Sequence, residues 1–134
     1  MSMAVLTALR TRISSSNTAG GFAYVFDGRV YATQAPSDCA LPVCVYEVTT
    51  DRSDRTSAGY ELVLGILFRM YDSADTTGDL ASAQTRLKAL LDGWTATLAG
   101  HDRVTTRLRR QGVPQQDDDA WLIEDEYELR ATLL

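Results

Sequence analysis

The sequence predicts an α+β domain: a mostly antiparallel twisted sheet of about five to six strands, packed by one long helix (about 80–99) and a short N-terminal helix (about 2–15). Three observations carry this. Ala58–Ser73 alternates almost without a break, with Tyr60, Leu62, Leu64, Ile66, Phe68 and Met70 on one side and Glu61, Val63, Gly65, Leu67, Arg69 and Tyr71 on the other. Side chains alternate across a strand, so this is a period-two pattern, and twelve residues of it span roughly 40 Å. Leu80, Ala83, Leu87, Leu90, Leu91, Trp94 and Leu98 recur at helical steps of three and four. Two further β-rich runs, Arg103–Arg110 and Ala120–Leu133, flank the polar stretch QGVPQQDDD.

The 134 residues read as a single domain over 1–134, long enough to bury a core without staples. The formal charge of −5 argues against gripping nucleic acid through its phosphates, which requires clustered Lys and Arg. Met1–Ser16 lacks a basic start and an apolar h-region, and no stretch approaches a membrane span. The default expectation is an intracellular, reducing setting without a membrane partner. Cys39 and Cys44 then read as two thiols in a Pro-flanked stretch, Cys44 within a strand.

Taken in order, Ser2–Ser15 predicts a helix with Val5, Leu6, Leu9 and Ile13 inward and Arg10 and Arg12 outward. Asp27-Gly28 between FAYVF and RVYAT predicts a tight hairpin, because a type I′ turn needs positive φ at both central residues. Thr33–Pro42 reads as a loop, Val43–Thr50 as a strand, and the charged Asp51–Ser57 as a mobile connection. The even face of the long strand belongs on the core. Asp72–Gly78 reads as a polar turn, Asp79 as the helix N-cap, Gly93 as a close approach inside the helix, and Gly100 as its stop. The last two strands pair as a hairpin in which Leu108 opposes Ile123, Val104 opposes Tyr127, Arg107 opposes Glu124 and Arg103 opposes Glu128. That register matches apolar residues on one face and charges on the other.

No constellation points to catalysis. His101 is the sole histidine and reads as a capping or solvated residue. Ser14–Ser16 has no adjacent base, so no nucleophilic triad is argued. Asp117–Asp119 lacks Ca²⁺-loop spacing and reads as a solvated turn rather than a metal site. Glu124, Glu126 and Glu128 share a strand face, and cross-strand arginines account for them more simply than acid–base chemistry. Gly20-Gly21 does not sit between a strand and a helix as a phosphate loop requires. The expectation is therefore no catalytic, cofactor-binding or metal residue and no cofactor. What demands explanation is the second, mixed apolar face of the long strand.

The segments VYATQAPSDCALPVCVYEV, GYELVLGILFRMYDS, LASAQTRLKALLDGWTATLAG and AWLIEDEYELRATLL, in this order, resemble the tail terminator (tail completion) proteins of lambda-like long-tailed bacteriophages. The resemblance runs from about Val30 onward and rests on element order rather than an invariant motif. It implies a virion component without an active site, assembled in the host cytoplasm. Such a component forms a homo-oligomeric ring, typically a hexamer, at the head-proximal end of the tail tube. Its implied partners are further copies of itself, the tail tube protein and a head-completion or connector protein, with DNA passing through the lumen without specific binding. It also implies that Val63, Leu67, Arg69 and Tyr71 meet a neighbouring subunit, with Arg107, Arg109 and Arg110 pairing with acidic groups across the seam. The alternatives are a head–tail neck (stopper or connector) protein and, from a different class, a small α+β ligand-binding module or enzyme with a sheet-and-helix cleft.

Overall fold

The computed structural model describes residues 3–56, 59–73, 78–98, 100–117 and 119–133. The elements are α1 (Met3–Ser14), α2 (Phe22–Val25), β1 (Val30–Ala32), β2 (Val43–Thr56), β3 (Gly59–Ser73), α3 (Gly78–Leu91), β4 (Thr95–Ala96), β5 (His101–Arg110), β6 (Gln115–Asp117) and β7 (Ala120–Leu133). The strands form one seven-stranded sheet in the order β1-β2-β3-β7-β5-β4, with β6 also on β7. Every pairing is antiparallel except β1 on β2. The sheet curls into an open half-barrel. Among the described residues no helix is long and apolar enough to cross a membrane.

The period-two pattern of β3 sets the architecture. Leu62, Leu64, Ile66, Phe68 and Met70 all join one core cluster with Val5, Leu9 and Ile13 of α1, Phe22 of α2, and Leu80, Ala83, Leu87 and Leu91 of α3. Phe68 is the aromatic hub. Its ring is stacked on Tyr46 at 5.5 Å and edge-on to Phe22 at 6.3 Å and to Tyr127 at 5.7 Å. Cys44 is fully buried in the same cluster, where desolvation pushes its thiol pKa up. Arg12 ties two helices together: its guanidinium donates to the Leu90 carbonyl at 3.0 and 3.2 Å and lies 5.6 Å from the Trp94 ring centroid. A cation there satisfies a free carbonyl at the end of α3 and complements the helix dipole.

A second buried anchor is Asp125 of β7. Its Oδ1 accepts from the Gly112 N–H and from Gln84 Nε2 of α3, each at 2.9 Å, and the same Gln84 amide donates to the Gly112 carbonyl at 2.9 Å. Gly112 is required by close approach, since a Cβ there would lie 2.2 Å from the Glu124 carbonyl oxygen. Burial raises the Asp125 pKa.

Several expectations are corrected. The central helix is short, ending at Leu91 instead of running to 99. Gly93, expected inside the helix, has φ +81° and turns the chain out of it, donating to the Thr106 carbonyl at 2.9 Å. Asp79 lies in the first helical turn rather than before it. No hairpin forms at Asp27-Gly28. Both residues do adopt positive φ (51° and 78°), but they close α2, with the Gly28 N–H reaching the Ala23 carbonyl at 3.0 Å. Asp51–Thr56 is not a mobile connection but the second half of β2, zipped to β3. The β5–β7 register is displaced by four residues: Leu108 opposes Tyr127, Arg107 opposes Glu128 and Val104 opposes Ala131. The shift is even, so each residue keeps its expected face. Tyr60, assigned to the core, is 54% exposed. Residues 2, 57, 58, 74–77, 99 and 118 lie outside the described residues, as do the side chains of His101 and Asp117.

Candidate functional site

The three helices contribute their buried side chains to one face of the sheet. The other face is built from the alternate residues of β2, β3 and β7, and the register sets these in rows. From one end they are Val43–Tyr71–Leu122, Val45–Arg69–Glu124, Glu47–Leu67–Glu126, Arg52–Val63–Arg130 and Asp54–Glu61–Thr132. Along β3 the outer positions run Glu61, Val63, Gly65, Leu67, Arg69 and Tyr71, so Val63 and Leu67 each have one long charged neighbour on the strand. Val63 is 1% exposed and Leu67 9%, yet neither belongs to the helix-covered core cluster.

Two guanidinium hubs organise this outer face. Arg69 pairs with Glu47 of β2 at 2.5 Å and with Glu124 of β7 at 3.2 Å, so it bridges three strands above Leu67. Arg130 pairs with Glu61 of β3 at 2.6 Å and with Glu128 at 2.5 Å, flanking Val63. Arg109 extends the second hub, 3.7 Å from Glu128. The carboxylate partners raise the pKa of both hub arginines, Glu47 most at Arg69 and Glu128 most at Arg130. Charged stems thus shield apolar side chains while their heads stay at the surface.

Between the hubs the face dips at Gly65. A Cβ there would lie 3.1 Å from Thr49 Oγ1 and from Thr50 Cβ, because β2 bulges between Val48 and Thr50 and brings its threonines over β3.

Of the residues expected at a subunit seam, Val63, Leu67, Arg69 and Tyr71 share this one face of β3. Arg107 and Arg110 oppose Glu128 and Glu126 from β5, and Arg107, Arg109 and Arg110 are all exposed. Arg69 and Arg109 already hold acidic partners within the chain. Sequence reasoning missed Glu47, Glu61 and Arg130 as partners, and Val43 and Leu122 as extensions of the apolar stripe. The only signal for them was the alternation within β2 and β7, which assigns a face but not a row.

A separate cavity of about 400 Å³ lies between α1 and the β1–β2 edge, lined by Met3, Leu6, Thr7, Arg10, Tyr46 and Val48 among others. Its lining is mainly apolar, with Arg10 and Glu47 as the charged groups. Among the described residues no group of three or more His, Cys, Asp or Glu is arranged to hold a metal ion.

No protein-family model and no curated protein matches the sequence. The fold itself recurs in solved structures. A chain of a structure described as the virion of a native gene transfer agent (GTA) particle superposes with a TM-score of 0.71 at 16% identity, covering 97% of this chain and 98% of that one. A second solved structure gives a TM-score of 0.70 at 17% identity, covering 100% of this chain and 98% of the other. The likeness is one of fold, and it runs from end to end of both chains.

Proposed function

We propose that this protein is a non-catalytic structural component of a phage-type virion. In this reading it forms a homo-oligomeric ring, typically a hexamer, at the head-proximal end of the tail tube, ends tube growth and presents the surface to which the head-completion or connector protein binds. One observation carries it: the outer face sets an apolar stripe (Val43, Val63, Leu67, Tyr71, Leu122) inside a lattice of matched charges. In the single chain most of this stripe is covered by charged stems; such a face becomes a protein contact when those stems move aside for a partner that covers the apolar row and meets the charges at its rim. Supporting it is the end-to-end fold match to a chain of a GTA virion particle.

In the ring, Val63, Leu67, Arg69 and Tyr71 face the neighbouring subunit, and Arg107, Arg109 and Arg110 meet its carboxylates. Exposed arginines of this kind set orientation and partner choice more than affinity. The net charge of −5 suits a lumen that lets DNA pass without holding it. The test is growth of purified tail tube protein with and without this chain, imaged by negative-stain electron microscopy. The expected result is capped tubes of limited length bearing a ring at one end. Leu67→Asp and Arg107→Glu should abolish the caps while the chain stays folded by circular dichroism. Tubes of unrestricted length in the presence of folded wild-type protein, with no rings formed, would overturn the reading.

A further inference from the structure

Strand β2 has an edge that the fold leaves open. β1 covers it only at residues 44–46; from Glu47 to Thr56 it has β3 on one side and, among the described residues, no strand on the other. A row of backbone donors and acceptors without a strand partner is a template for another strand. Asp51, Arg52, Ser53 and Arg55 along it are exposed and Asp54 half-buried.

The order of charges on this edge is Asp51–Arg52–Ser53–Asp54–Arg55. Read backwards, it is its own complement. In an antiparallel pair of identical strands centred on Ser53, Asp51 faces Arg55, Arg52 faces Asp54 and Ser53 faces itself. Registers slipped by one or two residues fail, and a slip of three keeps only Asp51 against Arg52 or Asp54 against Arg55, half the opposite-charge pairs of the centred register. Slipping by one residue sets Asp51 against Asp54 or Arg52 against Arg55. Slipping by two sets Asp54 against Asp54 or Arg52 against Arg52. A parallel in-register pair sets every like charge face to face. Like charges directly opposite are unfavourable and opposite ones favourable, so the sequence selects one register out of these. Arg52 and Asp54 project on the same face of the strand, already 3.2 Å apart within one chain. The two-fold pairing therefore brings two such ion pairs together as a four-charge box.

We propose that the β2 edge binds a second copy of this chain through a two-fold, antiparallel contact over residues 50–56 centred on Ser53, joining two sheets into one. This contact is independent of the ring reading. It pairs the backbone edge of β2, with Arg52 and Asp54 at the margin of the outer face away from Leu67, Arg69 and Tyr71, and an isologous contact closes after two copies, whereas ring contacts run head to tail.

The test combines sedimentation with cross-linking of the full chain. Wild-type protein is expected to show a concentration-dependent dimer. Arg52→Asp alone and Asp54→Arg alone should each raise the concentration needed for dimer by roughly tenfold or more, and mixing the two variants should restore it, since their charges then complement. Opposed residues of an antiparallel pair lie about 4.5–5.5 Å apart at Cα, within disulfide range. In a Cys39→Ser background, Ser53→Cys should therefore cross-link on oxidation, while Thr49→Cys, four residues off the axis, should not. Unchanged melting temperatures confirm that the variants fold. A wild type that stays monomeric without Ser53→Cys cross-linking, a dimer indifferent to both charge reversals, or equal cross-linking at 49 and 53 would overturn the proposal. None of these results bears on tube capping by Leu67.

Discussion

The two faces of β3 bury apolar side chains by different means. On the inner face Leu64, Ile66 and Phe68 are covered by three helices, and aromatic rings lock edge to face. On the outer face Val63 and Leu67 are hidden among arginines and glutamates of the same sheet. The first cover is dry and close-packed. The second is a set of long side chains held by ion pairs, and such side chains can move aside for a protein partner. Low exposure in one chain is thus compatible with an interface on the outer face, but not at Phe68.

Truncation on each side separates the two kinds of cover. Phe68→Ala should cost about 3–5 kcal/mol in denaturant unfolding, because a cavity opens at the aromatic hub. Leu67→Ala, its immediate neighbour, should cost about 1–2 kcal/mol, because the charged roof can settle into the space. Equal losses would show that the outer face is packed as rigidly as the core. Next in size, Arg69→Met leaves Glu47 and Glu124 without their shared cation and should cost about 1 kcal/mol at low ionic strength. Added salt should narrow the gap between wild type and this variant, since exposed pairs are screened.

The smallest effect belongs to the inner face. Asp125 has a folded pKa raised by burial, so the folded state holds that proton more tightly than the unfolded chain. The stabilisation is fully present below the ordinary Asp pKa and is lost as pH rises through the folded value. Asp125→Asn keeps an acceptor for Gly112 and Gln84 and should flatten that segment of the stability–pH curve, measured by thermal melts across the acid range. An unchanged pH profile would show that Asp125 does not titrate differently on folding.

Much of the fold was legible from residues alone. The alternation of β3, the α1 face and the faces of β5 and β7 were readable because each depends on a local period. The misreadings share a cause: a local signal that serves two structures. Positive φ at Asp27-Gly28 suits a hairpin turn and the end of a short helix equally well. Trp94 and Leu98 continue the helical spacing, and both do pack on the core, but from the chain beyond Gly93. Arg103 and Arg107, like Glu124 and Glu128, repeat at four residues, so a register slipped by four satisfies the same charges. Asp51–Thr56 has no apolar signature at all and is a strand because β3 lies beside it. The seam residues could be assigned to a face, but the hubs at Arg69 and Arg130 needed the row alignment of three strands.

The position of β7 has a bearing on biosynthesis. It lies between β3 and β5, yet it leaves the ribosome after every other strand. Until then the nascent hairpin of β2 and β3 has its leucines and Phe68 in place with one flank unzipped, and the long-range contacts that close the sheet cannot form. That interval is when the growing polypeptide is most prone to stick to its neighbours, and when a chaperone would have most to shield.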